Sequence, residues 1–165
     1  MKPVSRNVTE AMAVTRPFVF AWHFLTAIPL SRRHHDPTAD ELAASMAWYS
    51  TVGVMIGGLL ALVDQALRGW MTVEVASVLV IVLLVLLTRG LHQDGLADTI
   101  DGLAGGRTVE DRLRIMRDPS VGALGATGLF LSLLLRYAGL LAVPQAWRVP
   151  VLLCMPALGR WAMVC

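Results

Sequence analysis

Met46 to Val63 runs for eighteen residues without a charged side chain. At about 1.5 Å per residue, a helix of that length reaches about 27 Å, nearly the thickness of a bilayer's hydrocarbon core. Val75 to Thr88 adds fourteen uncharged residues, extendable to Met71 if Glu74 sits at the interface. Pro119 to Leu135 adds seventeen more; beyond Arg136 the apolar character continues from Tyr137 to Trp147 and resumes after Arg148 in VPVLLCMPALGRWAMVC. With 56% hydrophobic residues and a mean hydropathy of +0.62, the chain lies far from the soluble average. The expected fold class is therefore all-α: a polytopic integral membrane helical bundle. It reads as one membrane domain over residues 1–165, with an interfacial segment at 1–45 and the bundle at 46–165. An apolar segment that stops at Cys165 reads as one cut short, with further helices expected beyond it.

Lys2 and Arg6 ahead of Phe18–Leu30 have the outline of a secretory signal, but His23 interrupts the run and Ile28-Pro29-Leu30 replaces a small-residue cleavage site. A shallow interfacial or re-entrant helix fits better. Basic residues set the orientation. Lys2, Arg6, Arg16, Arg32 and Arg33 precede the first span, and Arg89, Arg107, Arg112, Arg114 and Arg117 fall between residues 89 and 120. The Asp64–Trp70 connection carries only Arg68. The positive-inside rule then puts the N-terminus and the 89–120 loop on the cytoplasmic side of the membrane. Cys154 and Cys165 have neither metal-ligand nor redox spacing and read as small hydrophobes. The net charge of +2 says little, because the positives are concentrated on one membrane side, which is suited to anionic lipid or a phosphorylated ligand; no nucleic-acid partner is expected.

Within that loop, His92 to Gly106 reads HQDGLADTIDGLAGG. Asp94, Asp98 and Asp101 are spaced four and three apart, so on a helix they fall within roughly 60° of one another. Three carboxylates that close repel unless a cation lies among them, which points to a divalent-metal site. Gly95 and Gly102 each follow one of these Asp residues and would admit a ligand or a second helix close to the backbone. His92, two residues before Asp94, would face about 160° away on a continuous helix and joins the site only if the helix starts near Asp94.

A cationic block follows, RTVEDRLRIMRDPSVGALGATG. Thr108 with Asp111 three residues on resembles a capping box, which predicts a short helix from about Val109 to Arg117, ended by Asp118-Pro119. Arg112, Arg114 and Arg117 beside the acidic run suit a phosphate ester held by guanidinium and bridged to metal on carboxylates, although each could equally be a positive-inside anchor. Gly122, Gly125 and Gly128, like Gly53 and Gly57, are expected to serve close helix packing. Arg136 and Arg160 lie within apolar segments and are site candidates or snorkelling residues; His34 and His35 read as a solvated patch.

HxDGLADxxDGL at His92–Leu103, RxxIMRDPxxGxxG at Arg112–Gly125, FLTAIPL at Phe24–Leu30 and YSTVGVMIGGLLA at Tyr49–Ala61 together resemble the cobalamin synthase family, the adenosylcobinamide-GDP ribazoletransferases. The resemblance runs from about Arg16 to Cys165 with the motifs in order; Tyr49-Ser50-Thr51 departs from the family's aromatic-Pro pattern. It implies a polytopic Mg²⁺-dependent membrane enzyme that joins GDP-activated adenosylcobinamide to α-ribazole or its 5′-phosphate and releases GMP. It further implies that Asp94, Asp98 and Asp101 hold Mg²⁺ against the diphosphate. One of them or Asp118 would be the general base, with His92 nearby, while Arg112, Arg114 or Arg117 contacts non-bridging oxygens beside Gly95 and Gly102. Its partners would be corrinoid and nucleoside substrates, the bilayer, and other copies or corrinoid-pathway enzymes. A CDP-alcohol phosphotransferase shares Asp pairs and a DG, but here Arg107 sits one residue too far and the later paired Asp is absent. A cation-coupled transporter would place its acids within the spans rather than at a boundary.

Overall fold

The computed structural model describes residues 6–30 and 37–165, with side chains from Thr15 onward; Lys2, Arg32, Arg33, His34 and His35 lie outside that description. Among the described residues the chain is helical and contains no strand. Its helices are α1 (Arg6–Leu25), α2 (Ala39–Met46), α3 (Tyr49–Arg68), α4 (Val73–Leu87), α5 (Leu91–Gly105), α6 (Val109–Ile115), α7 (Ala123–Ala142) and α8 (Gln145–Trp161). They fall into two compact units, residues 1–63 with 146–165 and residues 64–145, and α3 runs from one into the other.

In the first unit, α1 ends at Leu25 and the chain folds back, so the apolar run to Leu30 is a helix end and a turn. Trp22 Nε1 donates to the Ile28 carbonyl at 2.9 Å, and the Leu30 amide donates to His23 Nε2 at 3.0 Å. Helix α2 was not expected, although its signal was there: the Thr38 hydroxyl accepts from the Glu41 amide at 3.2 Å while the Glu41 carboxylate accepts from the Thr38 amide at 3.0 Å, a complete capping box. Gly53 and Gly57 of α3 face α8 at backbone distance. A Cβ on Gly57 would stand 2.5 Å from the Leu152 carbonyl, so these glycines serve close packing as their spacing suggested. Arg148 and Arg160 are buried at opposite ends of α8, and Arg160 Nη1 donates to the Pro156 carbonyl at 3.5 Å.

Among the described residues two helices, α3 and α7, are long and apolar enough to cross a membrane. Helix α7 passes straight through Arg136 and stops at Val143-Pro144. In the second unit the Asp-rich run, expected as a loop after the second span, is the helix α5, bent by 85° from α4. The bend has a local cause. Arg89 and Gly90 adopt positive φ angles of 52° and 69°, and two consecutive left-handed residues reverse the advance of the helix. Thr88, buried, closes the end of α4 by donating its hydroxyl to the Leu84 carbonyl at 2.9 Å. At fifteen residues α4 reaches only about 22 Å, so α4 and α5 together form one broken span or a re-entrant segment.

Candidate active site

Helix α5 carries the acidic face, and two neighbours fasten it. On one side, α7 crosses where Gly125 would bring a Cβ within 2.9 Å of the Ala97 carbonyl and where Gly128 lies against the Ile100 side chain. On the other, α6 folds back onto Gly102 and Gly106. Met116 carbons lie 2.7 Å from a Cβ built on Gly102, and Arg112 Nε donates to the Gly106 carbonyl at 3.1 Å. Helix α6 starts as its cap predicted, with the Thr108 hydroxyl accepting from the Asp111 amide at 3.1 Å, but it ends at Ile115 rather than Arg117. Asp111 cannot reach back as a Glu would; it pairs instead with Arg114 at 3.0 Å.

The three carboxylates of α5 part company. Asp101 Oδ2 accepts from the Gly122 amide and Oδ1 from the Gly125 amide, each at 2.7 Å. Those are the N-cap and third helical amides of α7, which has no side-chain cap and no acidic residue in its first turn. One carboxylate from α5 thus does the work of a capping box across 21 and 24 residues of sequence. The glycines at 122 and 125, expected to serve helix packing alone, are what let it in: a Cβ at either would fall within 2.6 Å of the Asp101 carboxylate. Asp94 is exposed and Asp98 half-buried, one turn apart, and neither carboxylate has a hydrogen bond or ion pair among the described residues. Among those residues no three His, Cys, Asp or Glu side chains are gathered closely enough to hold a metal ion. The donors available to a cation are therefore the Asp94–Asp98 pair. Two carboxylates fit Mg²⁺, which keeps several waters and takes its remaining oxygens from substrate phosphate.

The other candidates sort by what they touch. Helix α5 begins at Leu91 and includes His92, which therefore lies about 160° from Asp94 and does not share the acidic face. Gly95 has open space where a Cβ would stand and leaves the backbone beside Asp94 and Asp98 approachable, whereas Gly102 is filled by Met116 and serves packing. Arg112 is half-buried and tied to α5, and Arg114 is tied to Asp111. Arg117 is exposed and takes no hydrogen bond or ion pair from its side chain among the described residues. Asp118, also exposed, accepts from the Ser120 hydroxyl and, at 2.9 Å, from the Ser120 amide. The hydroxyl first and then the amide hold its carboxyl below the usual Asp range. The turn therefore persists above that range and is lost only as pH falls through the lowered pKa; the same stabilisation makes Asp118 a weak base.

Residues 17–165 match the profile of a family described as cobalamin-5-phosphate synthase. A curated relative from Chlorobaculum tepidum, named adenosylcobinamide-GDP ribazoletransferase, is 40% identical over 146 residues, 88% of this chain and 56% of the relative. The same name belongs to a Desulforamulus reducens protein, 40% identical over 141 residues, 86% of this chain and 56% of the relative. A Shewanella pealeana protein of that name is 42% identical over 120 residues, 73% of this chain and 46% of the relative. The chain spans about half the length of the curated relatives it matches. No solved structure matches it.

Proposed function

Because the chain belongs to the cobalamin-5-phosphate synthase family, we propose that it carries the phosphoryl-transfer centre of an adenosylcobinamide-GDP ribazoletransferase. GDP-activated adenosylcobinamide and α-ribazole, or its 5′-phosphate, are joined and GMP is released. The observation that supports this most directly is the open Asp94–Asp98 pair on α5, one turn ahead of the residues that fasten the Arg117-bearing loop. Asp94 and Asp98 would hold Mg²⁺, which when bound would supply neutralising charge to the diphosphate and the leaving phosphate. Arg117 contacts a non-bridging oxygen and orients the diphosphate. A ribose ring hydroxyl, free in both α-ribazole and its 5′-phosphate, forms the new bond to the cobinamide-linked phosphorus as that atom's bond to the bridging oxygen breaks. The bridging oxygen and its electron pair leave with GMP, and the hydroxyl proton passes to an oxygen of Asp98. The full-length protein in lipid nanodiscs should release GMP in step with the joined corrinoid when Mg²⁺ is present, and not with EDTA. GMP without corrinoid product, or no GMP at all, would overturn the reading.

The substrates are cytosolic metabolites, so α5 is assigned to the cytoplasmic side of the inner membrane. A single cysteine placed beside Arg107 should react with an impermeant maleimide from the cytoplasmic side, and one beside Arg68 from the opposite side. Labelling of both from one side would remove α3 as a complete span.

A further inference from the structure

We propose that Asp101 is a positioning residue: with Gly102 it clasps the Arg117–Val121 loop against α5, and it does not ligate the metal. The proposal rests on the phosphoryl-transfer reading for its catalytic consequence, though its structural part stands alone. The loop leaves α6 at Met116, whose side chain fills the space over Gly102, and it enters α7 at Gly122, whose amide is held by Asp101. Both ends of the loop are therefore fastened by consecutive residues of α5. The fastening is specific to a carboxylate, because both of its oxygens accept, at 2.7 Å each, from amides that α7 leaves without another side-chain cap. An Asn could accept at only one oxygen and would turn an NH₂ toward the second amide. Asp98 lies one turn before the clasp, so the fastening fixes where Arg117 and Asp118 stand relative to the Asp94–Asp98 pair. Each Asp101 oxygen already accepts from an α7 amide, whereas Asp94 and Asp98 have every lone pair unused, so a cation is better served by that pair.

Three measurements on the full-length protein in nanodiscs separate the two roles. Limited trypsin cleavage after Arg117, read by mass spectrometry with EDTA present, reports release of the loop without metal or turnover. Mn²⁺ titration followed by electron paramagnetic resonance reports the metal site. Steady-state kinetics report the catalytic consequence.

For Asp101→Asn, cleavage after Arg117 should accelerate about tenfold, as expected when a local opening loses charged hydrogen bonds. Mn²⁺ affinity should stay within about twofold of wild type, since no ligand is lost. Turnover should fall by about tenfold to a hundredfold with the Mg²⁺ concentration for half-activity unchanged, the mark of misplacement rather than lost ligation. Asp98→Asn should do the reverse, weakening Mn²⁺ at least about tenfold and leaving cleavage after Arg117 as in wild type. Gly122→Ala keeps the Asp101 carboxylate but pushes it from its seat, and should reproduce the cleavage of Asp101→Asn with normal Mn²⁺ affinity; it also covers the case in which Asp101→Asn is not recovered folded. Weakened Mn²⁺ binding with unchanged cleavage in Asp101→Asn, or normal cleavage in Gly122→Ala, would overturn the clasp. If the wild-type protein releases no GMP, the functional reading fails, while cleavage and Mn²⁺ binding still decide whether Asp101 fastens the loop.

Discussion

Asp98→Asn is expected to lower GMP release by about a hundredfold or more and to raise the Mg²⁺ needed for what remains, and Asp94→Asn to do the same. Both carboxylates stand on the open face of α5, and among the described residues no protein group competes for them. Replacing either leaves the helix intact, so circular dichroism and gel-filtration behaviour should match wild type. A suitable control is Glu110→Gln, exposed in the first turn of α6. Asp64, which its place beyond the first span would have suggested, does not serve. It is fully buried and joined to Arg68 Nε at 2.9 Å, and removing one partner of a buried pair leaves the other charge uncompensated. The measurement is initial rate against Mg²⁺ concentration for equal amounts of folded protein. Wild-type Mg²⁺ dependence in both α5 variants would mean that the acidic face has another purpose.

Much of this arrangement could be read from residue type alone. The uncharged run at Met46–Val63 marks most of α3, beginning three residues before it and stopping five residues short of its end, and Thr108 with Asp111 marks the start of α6. Those signals are local: hydrophobic length and a cap three residues ahead act within one turn. Thr38-Ala39-Asp40-Glu41 carries an equally local signal for α2, a capping box that closes within one turn. The bend between α4 and α5 was not legible, because a left-handed Arg89 is an uncommon state that no residue type announces. Nor was the division of labour among the three Asp residues. Helical spacing correctly puts them on one face, but which of them meets another helix depends on α7 arriving from more than 20 residues downstream. The glycines at 122 and 125 announce a close approach by their type, but that the group approaching them is a carboxylate depends on the fold.

Among the three arginines that the sequence left equivalent, Arg117 should respond unlike the other two. Arg117→Gln is expected to cut kcat/KM for the GDP-activated corrinoid by about tenfold to a hundredfold, since a hydrogen bond to a charged group contributes about 1.5–3 kcal/mol. Arg117→Lys should recover only part of that, because an ammonium cannot reproduce a two-pronged guanidinium contact. Arg112→Gln should act through the fold: it removes the bond to the Gly106 carbonyl, leaving that buried glycine's carbonyl short of a donor, and should lower yield or thermal stability more than kinetics. Arg114→Gln loses only an exposed i,i+3 pair with Asp111, an interaction within about 1 kcal/mol of nothing, and should leave both close to wild type. Steady-state kinetics on equal amounts of correctly inserted protein separate the three. If Arg117→Gln and Arg117→Lys both kept wild-type kcat/KM, the exposed guanidinium would be an anchor at the membrane surface, and the phosphate contact would have to come from elsewhere.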